Sequence, residues 1–441
     1  MSKSVVILGG GMAGLSAGAF LSAKGYSVSI YESSPKWGGR AYSYFDKDMN
    51  EYLDNGRHVL AGFYENTFEF MKLIGTYDKL LMKNKLELML CEKDDKYYHL
   101  SGTGLPGVWS LLSGIFRFKG FSFDDKLKFL NLRKLDLNND SNTAYYEKMN
   151  ASEILDSLKQ TPNLKKYFWH PFIYAAFNTA PDFVSGKLFL KLLKKGTENK
   201  KNMSVILGDD NLNSLFIDKS LDFLKSRNAF LVNNLGGKII NISDNKVYSI
   251  LLTDGSSVTA DHFICAVPFY NFENLFPPEY YNEIFPGSVL LKNTCIISVR
   301  ISFNTDVNDF IKYRMTGLVD STAQWIFKEN SRSISIVISG ADIIDGLLNK
   351  SSEEIYNLCI NDLKNAFKDF DENKIIRYKI IKEKRAAFLP DYESEKFRFN
   401  QKCNIENLYI AGDWTDTGLP ATLEGAVKSA KICSELIINK N

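Results

Sequence analysis

The 441-residue sequence holds six cysteines and four histidines, too few and too scattered for a metal site or a disulfide framework. Cys91, Cys265, Cys295, Cys359, Cys403 and Cys433 contain no CxxC pair, and His58, His99, His170 and His262 stand alone. A zinc site is therefore rejected, and free thiols suit a reducing compartment. An excess of one charge is also lacking. The 54 basic and 52 acidic side chains leave a net +2, which gives no reason to expect a nucleic-acid partner. No apolar run reaches the ~18 residues that cross a bilayer. The short run at 4–8 leads into glycines rather than a cleavage site, so a cytoplasmic protein is expected. Repeats and low-complexity segments are missing too.

What is present suits a large core: 45% hydrophobic residues in a length typical of two or three domains. The N-terminus reads strand, helix, strand. Residues 5–8 form a continuous apolar run, as a buried parallel strand does; residues 12–24 are Ala- and Leu-rich and stop at Gly25; residues 27–31 give a second short strand. From about 85 to 203 the chain reads as helical and rich in Lys, Leu and Phe, with a break at Gly104-Leu105-Pro106-Gly107 near its start. Strands return at 238–242, 247–253 and 261–267, then at 294–303 and 333–339, with a helix over 352–370. A strand at 408–411, a loop and a helix from about 420 to 438 close the chain. The expected fold is α/β. A Rossmann-type domain is assembled from discontinuous segments (1–84, 204–270, 403–441), and 85–203 with 271–402 form an inserted α+β substrate domain.

Three motifs carry chemistry. Gly9, Gly11 and Gly14 form GxGxxG between a strand and a helix, a spacing that makes a tight turn, lets backbone approach a diphosphate and packs helix on strand. Met12 and Ala13 open that helix, whose N-terminal N–H groups face the phosphates. Glu32, followed by Ser33, ends the second strand, where a carboxylate accepts hydrogen bonds from ribose hydroxyls. GxGxxG does not separate NAD from FAD. Gly38-Gly39-Arg40 supplies a second glycine turn with a guanidinium for the diphosphate, and Ala411-Gly412-Asp413 places an acid at a late strand end. The helix that follows, starting near Pro420, Ala421 and Thr422, can aim its positive end at a flavin carbonyl.

These blocks resemble the flavin amine oxidase and phytoene desaturase superfamily, and within it the hydroxysqualene dehydroxylase family. Further pieces are 53–60 (Leu53-Asp54-Asn55-Gly56-Arg57-His58-Val59-Leu60), Trp169 through Asn178-Thr179, 384–390, and 411–422. Arg57 stands where Gln is expected and His170 where an acid is expected. The resemblance implies an FAD-dependent enzyme that removes an allylic hydroxyl from a triterpene by hydride transfer from flavin N5. An isoprenoid lipid would be its substrate. It also implies cofactor contacts at Gly56, Arg57, His58 and Ile239 besides those named above. An acid must protonate the departing hydroxyl, and His58, Asp416 and Asp54 are the catalytic candidates. Each has a plainer reading: Asp54 bonding only backbone, His58 a core histidine, Asp416 a loop residue. Trp414 reads as a wall against the flavin.

Three alternatives stand beside this reading. A carotenoid desaturase shares the fold and runs oxidatively. An amine oxidase places an aromatic wall where Thr422 stands. A scaffold that binds FAD without catalysis would bring no polar groups to N5. Residues 105–123 mix Val108, Trp109, Leu112 and Phe116 with Arg117 and Lys119, and read either as a peripheral membrane contact or as a buried helix.

Overall fold

The structure is a computed structural model that describes residues 3–83, 85–103, 105, 107–135, 137, 144–285, 287 and 290–440. Gly104 and Pro106 of the sequence break, and residue 84 at one domain boundary, lie outside the described residues. Five short strands make a parallel sheet in the order Phe230–Val232, Ser27–Tyr31, Ser4–Leu8, His262–Cys265, Leu408–Ile410. Val5 to Leu8 and Phe263 to Cys265 are buried on both faces, as strands covered on two sides must be. One covering layer pairs helix Met12–Ala23 with helix Leu423–Asn439. Gly14 explains how closely the first helix sits on its strand: a Cβ there would lie 1.8 Å from the carbonyl oxygen of Gly9.

A second sheet has seven strands in the order Ile375–Phe388, Asn293–Phe303, Ser333–Ser339, Trp325–Asn330, Met315–Leu318, Glu87–Glu92, Lys96–Ser101. Period-two alternation sorts its faces. Ile297, Ile326, Ile336 and Ile338 pack under Ile355, Cys359 and Leu363 of helix Ser352–Ala366. Ile296, Trp325, Phe327, Val337 and Ser339 face the other way, into a cavity.

Two elements differ from the sequence expectation. Residues 87–101 are not helical but an antiparallel pair joined to the large sheet, Leu88 and Leu90 alternating inward. Residues 375–388 form a fourteen-residue edge strand whose exposed cations hide its strand pattern.

Candidate active site

The carboxyl ends of the parallel strands converge on one large cavity of about 850 Å3, where ligands of doubly wound sheets bind. The strand Ser4–Leu8 runs into Gly9, which takes φ +102° and whose Cβ, if present, would meet the Ala266 carbonyl at 2.7 Å. Gly11 is different. A Cβ there would meet nothing closer than Gly39 Cα at 3.8 Å, so its missing side chain leaves open cradle. The second glycine turn lies against the first, Gly38 N–H donating to the Gly10 carbonyl at 2.8 Å. Helix Met12–Ala23 has no side-chain cap, and Met12 and Ala13 line the cavity. An uncapped helix end between two glycine turns fits a dinucleotide diphosphate.

Glu32 and Ser33 end the next strand and line the same wall. The Glu32 carboxylate accepts from the N–H groups of Gly10 at 2.6 Å and Ser34 at 2.7 Å, which fixes it beside the glycine turn. Across the cavity Asp413, buried, is ion-paired with Arg40, whose guanidinium also donates to the Ala386 carbonyl at 3.1 Å. Asp413 holds Arg40 in its charged form against the opposing effect of burial. Thr422 caps helix Leu423–Asn439 by accepting from Gly425 N–H at 3.0 Å, and Pro420, Ala421 and Thr422 line the cavity at that helix end. Trp414 is buried among Phe269, Phe272 and Phe399, and it too forms wall.

Gly56, Arg57 and His58 lead from this polar end toward an apolar one. Beyond them the lining is Leu86, Leu88, Phe168, Phe172, Leu192, Met315, Trp325 and Phe327. Burial and the neighbouring Arg57 and Arg40 push the His58 imidazole down to about 4, so it is neutral at physiological pH. A neutral ring keeps one N–H donor and one acceptor.

Most of the residues expected to hold a cofactor are thus brought to one cavity: Gly9, Gly11, Met12, Ala13, Glu32, Ser33, Gly38, Gly39, Arg40, Gly56, Arg57, His58, Gly412, Asp413, Pro420, Ala421 and Thr422. Gly14 packs behind it. Three expectations need correction. Ile239 does not line the cavity; Ile240 turns into the core, alternation sends Ile239 outward, and Gly236, Gly237 and Lys238 form the wall instead. Asp54 faces away: it accepts from Ser43 Oγ at 2.6 Å and Leu212 N–H at 3.1 Å, and burial raises its pKa. Asp416 also lies outside the lining. Its carboxylate accepts from Gly418 N–H at 3.1 Å and closes its own turn. His170 is exposed, while the next residues, Pro171 and Phe172, reach the cavity.

One organising residue escaped the sequence reading. Arg398 is fully buried, pairs with Glu395 at 2.7 Å and stacks on Phe388. It donates to the carbonyls of Asp413, Trp414, Thr415 and Leu419, and so shapes the loop that carries Asp413. A lone arginine in a charged stretch gives no signal for this.

Comparison with known proteins follows the same lines. The family described as flavin containing amine oxidoreductase matches residues 12–438. The hydroxysqualene dehydroxylase of Zymomonas mobilis subsp. mobilis is 29% identical, over 98% of this chain and 98% of its own. The 15-cis-phytoene desaturase of Arabidopsis thaliana is 25% identical, over 98% of this chain and 80% of its own. Among solved structures, an oxidoreductase from Methanosarcina mazei superposes with a TM-score of 0.74 at 14% identity, covering 98% of this chain and 100% of that one. Cyclohexylamine oxidase from Brevibacterium oxydans IH-35A gives 0.70 at 12%, covering 100% and 99%. At such identities the structural likeness establishes the shared fold.

Proposed function

The chain belongs to the flavin containing amine oxidoreductase family, and on that footing we propose that this FAD-dependent oxidoreductase removes the hydroxyl of hydroxysqualene to give squalene. The observation that carries the reading is one continuous cavity, with a dinucleotide cradle at one end and an apolar, aromatic chamber at the other. The 29% identity to the hydroxysqualene dehydroxylase, against 25% to the phytoene desaturase over the same share of this chain, supports the triterpene alcohol over a carotenoid polyene.

We assign 1–84, 204–270 and 403–441 to the FAD-binding domain and 85–203 with 271–402 to the substrate domain. In support, every strand of the parallel sheet falls in the first set and every strand of the seven-stranded sheet in the second. Gly11 and the N–H groups of Met12 and Ala13 would hold the diphosphate, Glu32 the ribose, Asp413 the ribityl chain, and the end of helix Leu423–Asn439 the ring carbonyl. Bound FAD, reduced, supplies a hydride. The apolar wall excludes water from the allylic carbon. His58, as a neutral imidazole, would hydrogen-bond and orient the departing oxygen, which takes its proton from solvent.

The lipid substrate calls for contact with a membrane surface. No helix among the described residues is long and apolar enough to cross one. Helix Gly107–Arg117 buries Ser110, Leu111, Gly114 and Ile115 and turns Val108, Trp109 and Phe116 outward, Trp109 being 62% exposed. Phe123 and Leu127 of the next helix are exposed as well, and Arg117, Lys119, Lys126 and Lys128 lie between and beside these residues in sequence. Apolar side chains beside cations suit an anionic headgroup region.

The test is anaerobic. Photoreduced enzyme is mixed with hydroxysqualene, and oxidised enzyme with phytoene, while flavin absorbance is followed. Reoxidation by hydroxysqualene is expected. Bleaching by phytoene alone would favour the desaturase.

A further inference from the structure

A second cavity of about 260 Å3 meets the first at Arg57. Its lining is polar where that of the first is apolar. Its outer rim carries the ion pair of Arg314 and Asp209, both well exposed, and Asp210, paired with Lys79 at 2.9 Å. Its inner end is buried: Arg300 is held bidentately by Glu51 at 2.9 and 2.7 Å and meets Glu329 at 3.3 Å. Arg57 lines both cavities. Its guanidinium meets Glu329 at 3.0 Å and Asp54 at 3.8 Å and donates to the Gly208 carbonyl at 3.4 Å. Two buried polar atoms there lack a partner among the described residues, Arg57 Nε and Ser298 Oγ, and the Ser298 hydroxyl lies 3.8 Å from where a Gly56 Cβ would be.

Burying this many charges costs several kcal/mol per ion unless each is paired, and an apolar partition of similar volume would separate the cavities at lower cost. A charged partition is useful where water or protons must pass. The dehydroxylation needs such passage. One proton joins the oxygen as the C–O bond breaks and its electron pair leaves with that oxygen. The carbon receives hydride from the reduced flavin, and one water must depart. A triterpene filling the apolar end blocks the way by which it came.

We infer that the polar chamber is the aqueous port of the flavin cavity, with Arg57 as its gate and Glu329 and Asp54 as the latch. Protons enter and product water leaves past the Arg57 side chain. This inference rests on the dehydroxylation reading for its purpose but not for its geometry.

Holoenzyme loaded with squalene, so that the apolar end is plugged, is titrated with iodide while flavin fluorescence is read. Arg57→Ala joins the two cavities and is expected to raise the quenching constant severalfold, read per bound flavin. Glu329→Gln, which touches only the chamber, should raise it by less, and Ser298→Leu, which fills the inner end, should lower it in the Arg57→Ala background. Quenching equal to wild type in Arg57→Ala and Glu329→Gln would overturn the port. If Arg57→Ala does not fold, the Glu329→Gln result decides. Single-turnover kinetics in the active enzyme add a second reading: Ser298→Leu should slow reoxidation and enlarge the solvent isotope effect. Failure of the wild type to react with hydroxysqualene would sink the functional reading while the quenching result still stands.

Discussion

Arg40 and Asp413, 373 residues apart in the chain, form an ion pair in the wall of the large cavity. One end of the chain supplies the glycine turns and the other the acid, and this pair joins them across the cavity wall. On the proposed binding mode, Asp413→Ala removes a charge-assisted hydrogen bond to the cofactor, and it leaves Arg40 without its carboxylate partner. FAD affinity should fall by about 1.5–3 kcal/mol, measured as the dissociation constant by fluorescence titration. An unchanged constant would place Asp413 outside the cofactor contacts.

Gly11→Val should yield colourless protein. A Cβ at Gly11 would meet nothing closer than 3.8 Å, so the valine side chain would project into the open cradle where the diphosphate is proposed to lie. Absorbance of the purified variant at full flavin occupancy would contradict this binding mode.

The glycine turns and strand ends were legible in sequence because backbone geometry admits few residues there. Asp416 was not. Thr415 and Thr417 beside it are buried, so a loop that alternates in and out sends the intervening carboxylate back to its own turn. The strand Ile375–Phe388 was hidden by its cations, and the hairpin at 87–101 by the charged turn Lys93–Asp95, although Leu86, Leu88 and Leu90 carried the period. Ile239 missed by one step of a strand. Arg398 acts only through backbone carbonyls, which no spacing of side chains announces.

Arg398→Ala should therefore damage the loop without touching the cofactor directly. It leaves Glu395 buried without its partner, and breaking a pair of this kind costs about 3–5 kcal/mol. Urea unfolding should show the loss, together with weaker FAD retention. A variant as stable as the wild type would show that the loop holds its shape by other means.

His58→Gln should keep FAD and cut turnover about 100-fold, whereas Asp416→Asn should stay near wild type. The same imidazole marks stability. Its pKa is about 4 in the folded chain against an ordinary 6.5, so between these values the unfolded chain binds more protons. Stability is full above 6.5 and is lost as pH falls toward 4. Thermal melts across that window should show a smaller fall for His58→Gln than for wild type; equal falls would mean that His58 is solvated.

Trp109→Glu with Phe116→Glu should abolish flotation with anionic vesicles and leave activity on detergent-solubilised substrate intact. Unchanged flotation would move the membrane contact elsewhere on the surface.

The most direct test of dehydroxylation is a single turnover in D2O. Enzyme photoreduced there carries deuterium at flavin N5 and is mixed anaerobically with hydroxysqualene; the product is read by mass spectrometry against the flavin reoxidised. The account predicts one squalene per flavin, with one deuterium on the carbon that lost oxygen. Reoxidation without squalene, or squalene without deuterium, would contradict it.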